Sequence, residues 1–242
     1  MKYVIGDIHG EISKLMKLMK FILSIENKPS FIFIGDYIDK GEDSLKTLNF
    51  LKQLSTSYDC IFLIGNHEYC WLHADVYEEY LIKYGGLKTV SSFGCIDIKT
   101  TRVKLIDNFK SFFENLKTHV FYKDYLMTHS GIAPEYFDVE SLDTLKTTDF
   151  LFNRYDFIKK DSLYKNNYKI IFGHTGFFMP FLNKYKIGID TGACYLERQP
   201  ITAFNLDREF FLDSNFEKYS KDIISDNFCP NIIRNKPWRI YD

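Results

Sequence analysis

Cysteine is scarce and unpatterned in this chain of 242 residues. Cys60, Cys70, Cys95, Cys194 and Cys229 are odd in number, widely spaced and free of any CxxC pair, which argues against a disulfide framework. They read as reduced thiols of a cytosolic protein, and none sits in a loop that would activate it as a nucleophile. Long apolar runs are missing as well. No stretch approaches the roughly 18 residues that a membrane-spanning helix needs. Tyr3 to Ile5 already read as a strand, so no secretory leader is expected. Charge of one sign is also absent: the formal net charge is −1 and there is no block of like charges. Nucleic acid and anionic membranes are therefore excluded as primary partners. There are no repeats, low-complexity segments or linker. The length suits one α/β domain with a full core. The expectation is a single domain over residues 1–242, in which the recognisable motifs end by about 206 and residues 207–242 form an extension that packs on it.

What is present is one phrase written several times. Phe31-Ile32-Phe33-Ile34 runs into Gly35-Asp36-Tyr37-Ile38-Asp39-Lys40-Gly41. A short apolar run of this kind reads as a strand buried on both faces. Tyr3-Val4-Ile5 runs likewise into Gly6-Asp7-Ile8-His9-Gly10. Ile61-Phe62-Leu63-Ile64 runs into Gly65-Asn66-His67-Glu68, and Ile170-Ile171-Phe172 into Gly173-His174-Thr175. Tyr125-Leu126-Met127 ends in Thr128-His129-Ser130-Gly131 without the first glycine. Any one of these could be a solvated turn. Five strand ends offering Asp, His and Asn together read as a metal site, because ligands collect where the strands of α/β sheets end.

The rest of the pattern supports that placement. Residues 11–25 carry apolar side chains at a spacing of three and four, with Ile12, Leu15, Met16, Met19, Ile22 and Leu23 expected on the core face. A second helix starts at Asp43 or Ser44, and a third strand covers 60–64. Strand–helix–strand–helix–strand predicts a parallel sheet whose strands end on one edge. Further helices are expected over 69–83 and 103–116, and a hairpin over 119–129. A loop-rich stretch follows over 135–166. Strands are expected over 168–172, 184–189, 201–206 and 209–212. His73 reads as a surface or packing residue. His119, at the start of the hairpin, is expected at the end opposite His129 and is not counted as a ligand.

Carboxylate, imidazole and amide donors on one edge suit Mn, Fe, Co or Zn rather than the all-oxygen sites of Ca or Mg. Six ligands divide naturally between two ions, with Asp36 as the shared carboxylate because its strand lies between the other two in sequence. Such a pair holds a phosphoryl oxygen and lowers the pKa of a shared water for in-line attack. The leaving alkoxide then needs a proton, which His67 can supply as general acid with Asp39 fixing its tautomer. Arg154 is the first candidate to bind phosphate, for its planar fork, with Lys40 second and Asn66 beside them.

Three of these stretches, Gly6 to Gly10, Gly35 to Gly41 and Gly65 to Glu68, closely resemble the signature motifs of the PPP-type serine/threonine protein phosphatases. These are members of the calcineurin-like metallophosphoesterase superfamily. Thr128-His129-Ser130-Gly131 is similar to a later element of the family and Gly173-His174-Thr175 to one of its bacterial and phage members; Gly85-Gly86-Leu87-Lys88-Thr89, Arg154 in its aromatic context and Ile189-Asp190-Thr191-Gly192-Ala193 also fit. The resemblance implies an α/β fold in which a two-sheet β-sandwich is flanked by helices, with a dimetal site at the strand ends. It assigns Asp7 and His9 to one ion, Asn66, His129 and His174 to the other, and Asp36 to both. It implies two divalent ions, Mn first and Fe, Zn or Co after it, and a phosphatase acting on phosphoserine or phosphothreonine in proteins. Lys40 departs from the family, which usually has Arg there. Glu68 and Asp190 are expected to be structural. Two alternatives stand beside this reading. One is a dinucleoside polyphosphate hydrolase of the symmetrical diadenosine tetraphosphatase type, with a small phosphoester as substrate. The other is an inactive metal-binding module.

Overall fold

The computed structural model describes residues 1–221. Strand β1 (Lys2–Ile5), helix α1 (Ile12–Ile25), β2 (Ser30–Phe33), α2 (Ser44–Leu54) and β3 (Cys60–Phe62) alternate as the sequence predicts. β1 and β3 both pair with β2 in parallel. β9 (Thr202–Asn205) lies antiparallel on the other side of β1, and β10 (Phe210–Asp213) and β11 (Lys218–Ser220) extend that edge. The second sheet runs β4 (His119–Tyr122), β5 (Tyr125–Thr128), β6 (Lys169–Phe172), β8 (Lys186–Gly188) and β7 (Phe181–Leu182). In it β5, β6 and β8 are parallel.

Period-two alternation sorts each strand between two cores. Val4, Ile32, Ile34, Met127, Ile171 and Ile187 turn inward and form the layer between the sheets. Tyr3, Ile5, Phe31 and Phe33 turn outward under α1, α2 and α6 (Ile98–Glu114). Leu126, Ile170 and Phe172 face the other way, under Phe137, Phe150 and Phe157 of α7 (Tyr155–Lys159) and the loops before it. The central strands are therefore buried on both faces, which is why they read as unbroken apolar runs. No helix among the described residues is long and apolar enough to cross a membrane.

Several expectations are corrected. Met16 is not in the core: it is 53% exposed, and Leu23 is also exposed, while Leu18 is buried with Leu15, Met19 and Ile22. The buried stripe thus runs one step round the helix from the one read in the sequence. The helix expected over 69–83 is two, α3 (Asn66–Leu72) and α4 (Ala74–Lys83), because His73 between them has non-helical torsions. α5 (Gly86–Ser92) was not anticipated, and α6 begins at Ile98, where the Asp97 side chain caps the Thr100 N–H. The strand expected over 184–189 belongs to a hairpin of β7 and β8. Of the expected C-terminal extension, Cys229, Ile223, Ile224, Trp238 and Ile240 lie outside the described residues.

Asp207, in the turn between β9 and β10, ties the two sheets together. Its carboxylate accepts from the Lys2 backbone N–H (2.8 Å), the Tyr122 hydroxyl (3.0 Å) and the Lys123 ammonium (2.6 Å). Burial acts to raise its pKa, but the hydrogen bonds from Lys123, Lys2 and Tyr122 outweigh this and hold it at about 2. A carboxyl depressed in the folded state stabilises above its unfolded pKa, roughly 3.9, and stops doing so as pH falls through the folded value. Asp207→Asn is therefore expected to cost about 1–2 kcal/mol at pH 7, with the difference shrinking toward pH 2. Urea denaturation of both proteins at pH 7 and pH 3 checks this; an equal loss at both would exclude the charge as its cause.

Candidate metal centre

Eight candidate residues leave the carboxyl ends of parallel strands. Asp7 and His9 follow β1, and Asp36 and Asp39 follow β2. Asn66 and His67 open α3 after β3, and His129 and His174 follow β5 and β6. The loops that carry them are bent hard. His9, Asp36, Asp39, Lys40 and His174 all have φ between 47° and 71°. Such left-handed backbone costs a residue with a Cβ on the order of 1 kcal/mol, least for Asp, Asn and His. Neighbouring loops hold the bends in place. The Ile8 and His9 N–H groups both donate to the Asp36 carbonyl (3.0 and 2.8 Å), and Gly41 N–H to the His9 carbonyl (2.8 Å).

Glu68 closes the third loop onto the second. Its Oε2 accepts from the Asp36 and Gly65 N–H groups (2.8 and 3.0 Å), and its Oε1 from Tyr37 N–H (2.8 Å). Burial and then the Asp36 charge push the Glu68 carboxyl up, while the amides that donate to both of its oxygens favour the ionised form. At Gly65 a Cβ would lie 2.2 Å from both the backbone N and Oδ1 of Asp36, so this approach requires glycine.

Two triples of candidate ligand atoms result. Those of His9, Asp36 and His67 lie within 4.8 Å of one another, as do those of Asp36, His129 and His174. Asp36 belongs to both. Its Oδ2 is 3.2 Å from His9 Nε2, and its Oδ1 is 3.5 Å from His129 Nε2. Asn66 Oδ1 joins the second group, 2.9 Å from His129 Nε2 and 2.7 Å from His174 Nδ1. Asp7 lies outside both triples: its Oδ2 accepts from His174 N–H (3.0 Å).

The protonation pattern fits divalent cations. His9 and His129 turn Nδ1 toward the carbonyls of Ile38 (3.0 Å) and Ile34 (2.9 Å). A carbonyl only accepts, so in the neutral ring Nδ1 carries the proton and Nε2 a lone pair. Burial pushes His129 down, and burial together with Arg154 pushes His174 far down, so both rings are neutral. Lone pairs of His129 and Asn66 thus meet with no proton between them. Asp7 Oδ1 and His174 Nε2 are buried with no partner among the described residues. Burial, then Asp190 and Asp36, raise the Asp7 pKa, the sign of clustered carboxylates lacking a counter-charge. Mixed imidazole, amide and carboxylate donors of this kind suit borderline divalent ions.

His67 is held by Asp39. Asp39 Oδ2 is 2.6 Å from His67 Nδ1, while its Oδ1 accepts from Trp71 Nε1 (2.9 Å) and Thr89 Oγ1 (2.5 Å). That leaves His67 Nε2 facing the centre, 4.0 Å from Asp36 Oδ2. Burial, then the Lys40 charge, push His67 down to about 4. Lys40 Nζ lies 2.9 Å from His9 Nε2 and 3.2 Å from the Tyr195 hydroxyl. Arg154 donates to the His174 carbonyl (3.3 Å), so one cation stands beside each triple. A cleft of about 650 Å³ opens at Arg154 and His174 and is lined also by Tyr80, Tyr84, Phe152 and Tyr155.

Sequence reasoning missed the supports of Asp39. Trp71 lies four residues after His67 on one helix, a spacing that could have been noticed. Thr89 closes the Gly85–Thr89 stretch, which spacing alone gives no role, and Tyr80 carries no signal. His73 stacks on Tyr69 at the surface. The reason given for setting His119 aside is corrected: it pairs with Thr128, so it lies at the same sheet end as His129. Its ring instead stacks on Phe150, away from the triples. Because one carboxylate receives three buried amides, Glu68→Gln, which places an NH₂ against an N–H, is expected to cost about 1–3 kcal/mol. It should also lower bound metal, read by elemental analysis beside thermal unfolding. Unchanged melting and metal content would show the loop to be held otherwise.

Known proteins resemble this chain in sequence and in fold. The family model described as calcineurin-like phosphoesterase matches residues 3–216. The serine/threonine-protein phosphatase SIT4 of Candida albicans is 38% identical over 151 residues, 59% of this chain and 42% of that protein. The chain thus spans less than half the length of that relative. The asymmetrical bis(5'-nucleosyl)-tetraphosphatase PrpE of Halalkalibacterium halodurans is 24% identical over 212 residues, 79% of this chain and 85% of its own. Among solved structures, the cold-active protein-tyrosine phosphatase of a psychrophilic Shewanella species superposes with a TM-score of 0.66. It covers 90% of this chain and 79% of its own at 16% identity, a likeness of fold. With its motifs, its two-sheet architecture and a family match over most of its length, the chain belongs to the calcineurin-like phosphoesterases.

Proposed function

We propose that the protein is a dimetal-dependent phosphatase that hydrolyses phosphomonoesters, phosphoserine and phosphothreonine in proteins foremost. The observation that carries this is His67, oriented by a fully hydrogen-bonded Asp39 with Nε2 open to the Asp36 triples. His9, Asp36, Asn66, His129 and His174, with Asp7 through its unpartnered Oδ1, would hold two divalent ions, Mn²⁺ first. Bound there, such ions supply Lewis-acid polarisation of the phosphoryl group and a lowered pKa for the attacking water.

The chain's own groups do the rest. Arg154, Lys40 and the Asn66 amide bind the phosphoryl oxygens and set the ester bond in line. An imidazole held low by burial is neutral in the free enzyme. A phosphate dianion beside Nε2 favours its protonated form, so the proton for the leaving alkoxide is held at Nε2 when substrate is present. Asp39 keeps Nδ1 protonated and stabilises the imidazolium.

A second reading, hydrolysis of dinucleoside polyphosphates, is favoured by the PrpE relative, which matches most of both chains, and by the aromatic cleft beside Arg154, which could take a base. Mn-loaded protein is expected to cleave a phosphothreonine peptide faster than diadenosine tetraphosphate and to lose both activities with EDTA. Preference for the dinucleotide would replace the substrate and keep the centre; no turnover of either would favour an inactive metal-binding module. His67→Asn should lower kcat by roughly 10²–10⁴ at unchanged metal content. Activity retained in that variant would remove His67 as the acid.

A further inference from the structure

Tyr80 is polar, reaches the centre, and has no part in the machinery described above. It lies on α4, and its hydroxyl accepts a hydrogen bond from Asn66 Nδ2 at 2.9 Å. A phenol oxygen that accepts from an amide still has its own proton to give. Among the described residues no acceptor takes it. The ring is wedged edge-on against His67, with centroids 6.0 Å apart, and tilted against Tyr84 at 4.3 Å. Its position is therefore set by packing on two sides, and rotation to find another partner is hindered. The side chain lines the same cleft as Arg154 and His174.

From this we infer that Tyr80 donates its hydroxyl proton to a non-bridging oxygen of the bound phosphoryl group, alongside Arg154. The inference rests on the phosphatase reading and adds a neutral donor to its two cations. The bond from Asn66 makes this direction of donation the favoured one. Asn66 turns Oδ1 toward the imidazoles of His129 and His174, so only its NH₂ is left for the phenol. That NH₂ has no use for a donor, and the phenol proton is left facing the cleft. A neutral donor is also suited to a place already crowded with cations: it adds a hydrogen bond to the anion without adding charge. Tyr80 would thus touch substrate, and its loss would be felt in phosphate binding whether or not turnover follows.

Tyr80→Phe keeps the ring and its contacts and removes only the hydroxyl. Calorimetric titration of Mn-loaded protein with inorganic phosphate is expected to show roughly tenfold weaker binding in the variant. Metal content and melting temperature should match the parent. Equal phosphate affinity in the two proteins would overturn the role of Tyr80 alone. A variant that loses metal would overturn it too, by showing that the hydroxyl serves only to set Asn66. A parent that binds no phosphate would remove the phosphatase reading together with this inference.

Discussion

His129 Nε2 and Asn66 Oδ1 face each other at 2.9 Å, and both are acceptors. The Ile34 carbonyl has already claimed the proton of His129 at Nδ1. A buried contact of this kind is unfavourable in itself, since two lone pairs desolvated against each other gain nothing. It is tolerable only where a cation supplies the missing positive charge. The same holds for the carboxylates of Asp7, Asp36 and Asp190: burial first, and then the charges of the other two, raise the pKa of Asp7. Much of the surrounding architecture serves to hold these groups in an arrangement that they would leave if they were free.

That holding is visible in the backbone. Left-handed torsions at His9, Asp36, Asp39, Lys40 and His174 turn the loops back over the strand ends, and each is an unfavourable local choice. They persist because Glu68 gathers three amides from two loops and because the first two loops exchange backbone hydrogen bonds. Both supports need a rigid base, which the three apolar layers provide. Strands buried on both faces do not shift in register without exchanging the side chains packed in the two layers that they separate. The stability of the sandwich is thus spent on the geometry of one edge.

Asp39 shows how a functional group is tied to the helices as well as to the sheets. Its carboxylate takes the His67 imidazole, the Trp71 indole and the Thr89 hydroxyl, drawn from α3 and α5. With its lone pairs engaged, it has little freedom to rotate away from His67. An imidazole anchored this way keeps its orientation, which is what the general-acid role proposed for it requires.

Much of the fold was legible because its signals are local. Four residues of Ile and Phe before a glycine identify a doubly buried strand, and spacing of three and four identifies α1 even though Met16 and Leu23 were assigned to the wrong side. The candidate ligands stood out for the same reason: Asp7, Asp36, Asn66 and His174 each follow an apolar run and a glycine, with His9 and His129 one or two residues further on. What could not be read were relations between residues far apart in the chain. The union of two sheets at one edge, the carbonyl partners that choose the tautomers of His9 and His129, and the Tyr80 hydroxyl on Asn66 all depend on how segments pack, and packing leaves no periodic trace in a sequence. The placement of His119 makes the point in reverse. It begins a strand, and only the antiparallel return of β5 brings it to the end of the sheet where His129 lies. Residue types and their order determined the chemistry available to this protein; the meeting of the two sheets determined which atoms could share an ion, because that depends on distances of a few ångströms across the fold.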